Sequence, residues 1–206
     1  MRIYHYTKCI KLNSIFEDGF IATEMQRTLN DDFKFTNNVW LTEKCSYPKT
    51  ALPLLPKFKE TNLMTHLQCK GTHVDLDKIG AYFGKFYRFS FESSDARFRK
   101  WFMSEERHKL KNNQYWMQME KVANKVGDDV RSFWFSNNQI DLENFNLEVF
   151  EGSWKVLLVN ASLSMPDSEV LDTIQIIKNE SIAKCKQLGI KYSSLNFLNR
   201  LIKKGI

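Results

Sequence analysis

Three short segments place side chains that can do chemistry inside otherwise apolar runs. IYHYT carries His5 between two tyrosines, VWLTE carries Trp40 and Thr42 on alternate positions, and LEVFE carries Glu148. A histidine nitrogen can bind a ligand hydroxyl or fill an ordinary structural role. An ionised carboxylate in a buried strand is costly unless it has partners or a task. Glu148 therefore faces either a cleft or solvent on an edge strand.

Apolar periodicity predicts that strands hold all three segments. Residues 2–7 alternate as a first strand, and a short helix capped by Thr7 follows and ends at Gly19. KFYRFSFES and RSFWFS predict further strands, and NLEVFEGSWKVLLVN predicts two strands joined at Glu151-Gly152. The order of these elements predicts one compact α+β unit.

Two long helices are expected around and after these strands. One runs from a cap at Ser104 to a stop at Gly127. The other follows a capping-box pattern at Ser164 and turns Leu171 and Ile174 inward, and a final amphipathic helix, SLNFLNRLIKKG, follows it.

Composition excludes several classes of protein. The 206 residues are 43% hydrophobic and 14% aromatic, which indicates a folded core. The sequence has neither an apolar run of membrane-spanning length nor a signal-peptide pattern, and a cytoplasmic protein is expected. The four cysteines are scattered, which argues against a disulfide framework or a metal site. The GxGxxG, GxxxxGK[ST], GxSxG and HExxH motifs are absent.

Positive charge is concentrated in one part of the chain. The net charge is +6, and residues 97–125 hold eight Lys or Arg against three Glu. DARFRKWFMSEERHKLKNNQYW interleaves these charges with aromatic rings, a combination that binds phosphates and stacks on unpaired bases. The alternative is a basic amphipathic helix whose rings belong to the core.

The order of the motifs resembles the ADP-ribosyltransferase superfamily. His-x-Thr on a first strand, a helix ending in Gly, an aromatic-x-Thr strand and a late Glu strand follow one another over about residues 2–160. The resemblance is to the diphtheria-toxin and poly(ADP-ribose) polymerase branch, which uses His, Tyr and Glu, and to small bacterial proteins of that fold. It implies split antiparallel sheets with a central NAD cleft and flanking helices. Residues 1–160 would form the catalytic domain, and residues 161–206 a helical extension packed on it.

The resemblance also implies a role for each matching residue. Glu148 and His5 would be catalytic, with Glu143 as the fallback carboxylate and Glu151 as a third. Glu148 would stabilise the oxocarbenium-like ribose as nicotinamide departs. NAD, as the substrate, would be bound by His5, Tyr6, Thr7, Trp40, Thr42, Tyr47 and Arg88. His5 would contact the adenosine ribose, the Tyr6 backbone would clamp the carboxamide, and Tyr47 would stack on nicotinamide.

The sequence departs from the better-known members at two places, and it leaves the acceptor open. Tyr6 replaces a small residue of the toxins, and Trp40 stands where a tyrosine is expected. The basic segment favours a nucleic-acid acceptor, RNA before DNA. The compact chain, its basic charge and the absence of a secretion signal suggest a toxin of a bacterial toxin–antitoxin or phage-defence system, and such a toxin implies a neutralising antitoxin. The alternatives are a protein acceptor, an RNA 2'-phosphotransferase, or a non-catalytic module that binds nucleic acid or a partner.

Overall fold

The computed structural model describes residues 1–23, 38–46, 48, 80, 82 and 84–190. The strands are β1 (Arg2–Lys8), β2 (Phe20–Ile21), β3 (Val39–Thr42), β4 (Phe86–Glu92), β5 (Arg99–Lys100), β6 (Phe133–Ser136), β7 (Ile140–Asp141), β8 (Phe145–Phe150) and β9 (Trp154–Ala161). The helices are α1 (Cys9–Asp18), α2 (Glu105–Lys109), α3 (Gln114–Lys125) and α4 (Ser168–Gln187), with 3-10 turns at Trp101–Met103 and Val130–Ser132.

Most of the strands form one antiparallel sheet. Its seven strands lie in the order β5-β6-β3-β1-β4-β8-β9, and β2 and β7 form a separate two-stranded sheet. β1 lies in the middle, paired along its whole length with β4 and through one register pair, Tyr4 with Thr42, with β3. The α+β prediction is therefore confirmed at the level of a mainly antiparallel sheet with a few helices.

The strand registers divide the sheet into two faces. Ile3, Phe89 and Leu147 lie on the face that α1 covers, here called the α1 face. The adjacent register places Arg88 and Glu148 on the opposite face, here called the Arg88 face. Successive side chains of a strand point to opposite faces, so each residue's parity in the register decides which surface it can serve.

The α1 face carries the larger hydrophobic core. α1 buries Leu12 and Phe16 there, and the Phe16 ring lies 6.0 Å from that of Phe89. α4 adds Val170 and Ile177 to the same core. Residues 168–187 therefore share one core with the strands.

The chain leaves α1 as its sequence predicts, but it enters the helix one residue later. Gly19 ends α1 in the left-handed conformation, with φ of 80° and its N–H donating to Ile15. At the start, Thr7 belongs to β1 and pairs with Tyr87, so Lys8 precedes the helix without a side-chain cap. The prediction of Thr7 as the cap is wrong because strand pairing continues through it.

The helix predicted from Ser104 to Gly127 is interrupted. Ser104 caps α2 by accepting from the N–H of Arg107, but α2 ends at Lys109. Asn113 then accepts a hydrogen bond from the N–H of Trp116 in the first turn of α3. An asparagine side chain competes with helical backbone bonds, and here it starts a second helix.

α4 differs from its prediction in its cap and in the first residue of its inward stripe. Its cap is Asp167, which accepts from the N–H of Val170, and not Ser164. Val170 is buried, whereas Leu171 is 52% exposed. Ile174 faces inward as predicted. The final helix predicted for residues 194–205 lies outside the described residues.

Candidate functional site

A buried ion pair lies at the centre of the Arg88 face. β4 and β8 place Arg88 directly opposite Glu148, and the Arg88 Nη2 to Glu148 Oε2 distance is 2.5 Å. Each residue is 6% exposed. Glu148 therefore faces away from Leu147 and Val149, and it meets an arginine there instead of solvent.

The guanidinium of Arg88 is held on several sides. Its Cζ lies 4.3 Å from the ring centre of Tyr4 and 4.3 Å from that of Trp154, so aromatic rings flank it. Its Nη1 donates to the carbonyl of Cys45 at 2.5 Å and approaches the Tyr6 hydroxyl at 3.4 Å. Burial opposes the charge, but hydrogen bonds to Glu148 and Tyr6 outweigh it and raise the pKa of Arg88.

Two polar atoms of the ion pair are unused among the described residues. Arg88 Nε is buried and has no hydrogen-bond acceptor there. Glu148 accepts from Arg88 through Oε2, and Oε1 has no donor among the hydrogen bonds of the described residues. A buried donor without a partner costs about 1–3 kcal/mol, so Arg88 Nε is an unsatisfied group among the described residues.

Tyr6 adds a neutral hydroxyl beside the pair. Its hydroxyl donates to the Lys44 carbonyl at 2.5 Å, and its ring packs edge-on against Trp154 at 5.5 Å. Burial raises the pKa of Tyr6 above its ordinary value, so the phenol stays protonated at neutral pH.

The segment that follows β3 is fastened across this face. Tyr6 and Arg88 hold the carbonyls of Lys44 and Cys45, as described above. At its other side, Lys44 Nζ donates to the Gly127 carbonyl at 2.5 Å and to Asp128 at 3.2 Å. Residues 44 and 45 are thus fixed between the centre of the sheet and the end of α3.

Trp40 and Thr42 lie on the same face, beside α3 and the two 3-10 turns. The Trp40 ring lies 5.0 Å from that of Trp101 and 6.1 Å from that of Trp116, within a second, aromatic cluster. Thr42 Oγ1 lies 3.1 Å from Ser132 Oγ and accepts from the N–H of Lys44. Trp40 therefore packs one wall of this face.

His5 and Thr7 lie on the other side of the sheet. The register pairs His5 with Phe89 and Thr7 with Tyr87, which places both side chains on the α1 face. His5 Nδ1 lies 3.0 Å from the carbonyl of Trp40 on β3. A carbonyl only accepts, so Nδ1 carries the hydrogen, and in the neutral ring Nε2 is the acceptor. The structure thus separates the His5 and Glu148 side chains, which the sequence places in one site.

The two alternative carboxylates lie away from the ion pair. Glu143 accepts from Ser164 at 3.0 Å in the loop between β7 and β8. Glu151 is exposed in the turn between β8 and β9, where Lys85 and Lys155 lie at 2.8 and 2.9 Å and hold its pKa at about 2. Tyr47, predicted to stack on nicotinamide, lies outside the described residues.

Sequence reasoning missed Tyr4 and Trp154, the two rings that flank Arg88. Both positions follow from strand alternation. Tyr4 stands two residues before Tyr6 on β1, and a hairpin around Gly152 places Trp154 opposite Phe150, two residues from Glu148. The alternation of the strands indicates the face on which each ring lies. Only the β4–β8 register, which the sequence does not give, shows that both rings meet Arg88.

The rings of the basic segment divide between core and surface. Phe98 and Trp101 are buried, whereas Phe102 is 42% exposed with the Arg107 guanidinium stacked at 4.3 Å from its centre. Several of the charges are paired, including Arg99 with Glu106 and Lys100 with Glu43. Most of the rings therefore stabilise the fold, and the exposed part of the segment is confined to α2, α3 and their flanks.

Comparison of the chain with protein-family models, with curated proteins and with solved structures finds no match. The described residues contain no group of three or more His, Cys, Asp or Glu side chains that could hold a metal ion. The same part of the chain contains no helix with the length and apolarity to cross a membrane. The functional argument therefore rests on the side chains of the Arg88 face.

Proposed function

We propose that the chain is an NAD-dependent ADP-ribosyltransferase that modifies nucleic acid, with NAD bound on the Arg88 face. One observation carries the proposal: a buried donor, Arg88 Nε, and a carboxylate oxygen, Glu148 Oε1, are both unused within one ion pair. A dinucleotide offers the complement to each, since its diphosphate only accepts and its ribose hydroxyls donate.

The residue types of this face fit NAD. Arg88 would meet a diphosphate oxygen through Nε, and Glu148 would accept from the ribose 2'-hydroxyl through Oε1. Tyr4 and Trp154 supply aromatic surface beside the ion pair. The neutral phenol of Tyr6 adds no negative charge to compete with the diphosphate.

The reaction that this set would support is substitution at the anomeric carbon. The bond between ribose C1' and the nicotinamide nitrogen breaks, and its electron pair leaves with nicotinamide, which becomes neutral. A nitrogen or oxygen of the acceptor base then forms the new bond to C1', and its proton passes to solvent. The Glu148 carboxylate, paired with Arg88, would stabilise the positive charge that develops on the ribose.

His5 has a different role in this proposal from the one that the resemblance implies. Its side chain is on the opposite face, so it would not contact the ribose there. It would position β3 instead, through the hydrogen bond to the Trp40 carbonyl.

The test uses NAD labelled on the adenylate, incubated with single-stranded RNA, single-stranded DNA or a cell lysate, with nicotinamide release measured in parallel. We expect label on nucleic acid, and a loss of about 100-fold or more in Glu148→Gln. Glu151→Gln is the matched control, because it removes a carboxylate on the same hairpin that the ion pair does not use. Undiminished transfer by Glu148→Gln would overturn the assignment of that residue. Transfer to protein alone would overturn the acceptor, and absence of both transfer and nicotinamide release would overturn the activity.

A second candidate function is a non-catalytic nucleic-acid-binding module. The two aromatic rings that flank the Arg88 guanidinium suit a purely structural ion pair. Nucleic-acid binding is favoured by the basic segment, where the exposed Phe102 ring stacks with Arg107. Tight RNA binding without nicotinamide release would select this alternative.

A further inference from the structure

A pocket opens beside α2 and α3. Its volume is about 280 Å³, close to the lower limit for small-ligand sites. The pocket, here called the α2–α3 pocket, is lined in part by Trp101, Arg107, Lys111, Trp116, Met117 and Lys121. Indole surface and cationic side chains therefore converge on one opening.

The charge of the pocket is positive. Among the described residues that line it, one is a carboxylate, Glu120, which accepts from Arg107 at 2.7 and 2.8 Å and from the Trp101 indole N–H at 3.2 Å. That carboxylate is therefore neutralised by a residue of the pocket itself. Lys111 and Lys121 remain, and neither has an acidic partner within the described part of the chain. Two uncompensated cations beside an apolar floor complement an anionic ligand that also carries a ring.

Between the pocket and the ion pair lie neighbouring side chains of β3 and β1. Trp116 in its wall packs on Trp40, 6.1 Å between ring centres. The Tyr4–Thr42 register sets Trp40 beside Tyr6 on the neighbouring strand, and Tyr6 contacts Arg88. The pocket and the Arg88–Glu148 pair therefore lie on the same face of the sheet, as an acceptor site and an NAD site must.

From this geometry we infer that the α2–α3 pocket binds single-stranded nucleic acid, with an unpaired base against Trp116 and flanking phosphates on Lys111 and Lys121. The inference rests on the proposed function in one respect: the nucleic acid bound in this pocket would be the acceptor of the transferase reaction. A lone anion would use the lysines but leave the indole surface uncovered. An acidic protein segment would likewise bring charge without a planar ring. Nucleic acid is the class that satisfies both features.

The test measures binding without NAD, so its outcome is independent of the transferase reaction. A fluorescein-labelled single-stranded RNA of 12 nucleotides is titrated with protein, and anisotropy is followed between 50 and 200 mM KCl. The double variant Lys111→Glu/Lys121→Glu is expected to bind more weakly by roughly tenfold or more. The slope of log K against log salt is expected to fall by about 1.4, since each lost phosphate contact removes about 0.7.

The matched control is Lys11→Glu/Lys186→Glu, which changes net charge equally on α1 and α4, the helices of the α1 face. This control is expected to retain the wild-type slope. Trp116→Leu is expected to weaken binding about fivefold or more while leaving the slope unchanged, because it removes stacking and no charge. Circular dichroism verifies that each variant is folded.

Three results would overturn the inference. One is an equal loss in both double variants, which would mean diffuse attraction by net charge. Another is competition by poly-glutamate as effective as competition by RNA of equal charge, which would identify an acidic protein surface as the ligand. The third is failure of the folded wild-type protein to bind RNA. Transferase activity combined with any of these results would leave the NAD site in place and remove only the acceptor site.

Discussion

At the scale of single residues, the Arg88–Glu148 pair combines high desolvation cost with close geometry. Removing two charges from water costs several kcal/mol per ion, and their attraction offsets this only if the remaining polar atoms are also satisfied. Arg88 and Glu148 are each 6% exposed, and Arg88 Nε has no acceptor among the described residues. The arrangement is therefore expected to be sensitive to loss of either partner.

A double-mutant cycle measures this sensitivity. Arg88→Met and Glu148→Leu should each lower the free energy of unfolding by about 3–5 kcal/mol, since each leaves a buried charge unpaired. The double variant should lose clearly less than the sum, because it leaves neither charge behind. Urea denaturation followed by circular dichroism gives the four values. The exposed pair Lys155–Glu151 serves as the comparison and should be additive. Additive losses at Arg88 and Glu148 would mean that the two side chains do not stabilise each other.

The same scale explains what sequence could and could not predict about the site. Alternation along β8 predicts that Glu148 points away from Leu147 and Val149, because the period of a strand is two. It does not predict that His5 points to the opposite face, since that depends on the pairing of β1 with β4 and of β4 with β8. Those pairings join residues far apart in the chain, and a shift of one residue would reverse the result.

At the scale of elements, close approach between two backbones fixes how β1, α1 and β4 join. Gly84 lies just before β4 with φ of 83°, and a side-chain carbon added there would lie 2.8 Å from Cys9 Cβ at the start of α1. The N–H of Cys9 donates to the carbonyl of Lys85 at 2.9 Å, so the two segments are also hydrogen-bonded. Glycine satisfies both the left-handed backbone and the short separation.

Substituting this glycine separates the two requirements. Gly84→Ala should destabilise the protein by well over 1 kcal/mol, because it adds a clash with Cys9 to the cost of a left-handed alanine. Gly19→Ala is the control, since its φ is 80° and nothing lies within 4 Å of the added carbon. It should cost about 1 kcal/mol. Thermal unfolding of both variants tests this, and equal losses would mean that the contact with Cys9 has no cost.

For the helices, the sequence predicts the helical segments but not where one helix breaks or which residue begins the inward stripe. The sequence predicts one helix from the cap at Ser104 to the stop at Gly127, and α2 and α3 occupy most of that range. The break depends on whether Asn113 caps a new helix or continues the old one, a choice between local bonds of similar energy. In α4, the inward stripe contains Val170 and not Leu171, because the cap at Asp167 and the packing on α1 set the phase of the helix.

At the scale of the whole molecule, both faces of the sheet use the same strands. The core of the α1 face contains Ile177 of α4, and the aromatic cluster of the Arg88 face contains Phe135 of β6. A destabilising substitution on one face should therefore also lower the stability of the other face, because both depend on the same strands. The described part of the chain should unfold as one unit.

Ile177→Ala tests this coupling. It should lower the free energy of unfolding by about 3 kcal/mol, because it leaves a cavity in the α1-face core. In a Trp134→Phe background, which removes the tryptophan that packs on the α1-face core, the emission comes from the four tryptophans of the Arg88 face. That emission should shift to a lower urea midpoint together with the circular dichroism signal. Leu171→Ala, at an exposed position of the same helix, should change the stability by less than about 0.5 kcal/mol. Separate midpoints for the two signals would contradict a single cooperative unit.

The central position of β1 also has a consequence for how the chain folds during synthesis. β1 leaves the ribosome before its partner β4, and the contact between Tyr6 and Arg88 joins residues 82 positions apart. At 5–20 residues per second, roughly 4–16 s pass between the synthesis of these two residues. During that interval the apolar side of β1 has α1 to pack against but lacks its full-length neighbour. Folding should therefore be slow for a protein of this size, and the nascent chain is exposed to aggregation until β4 and then β8 emerge.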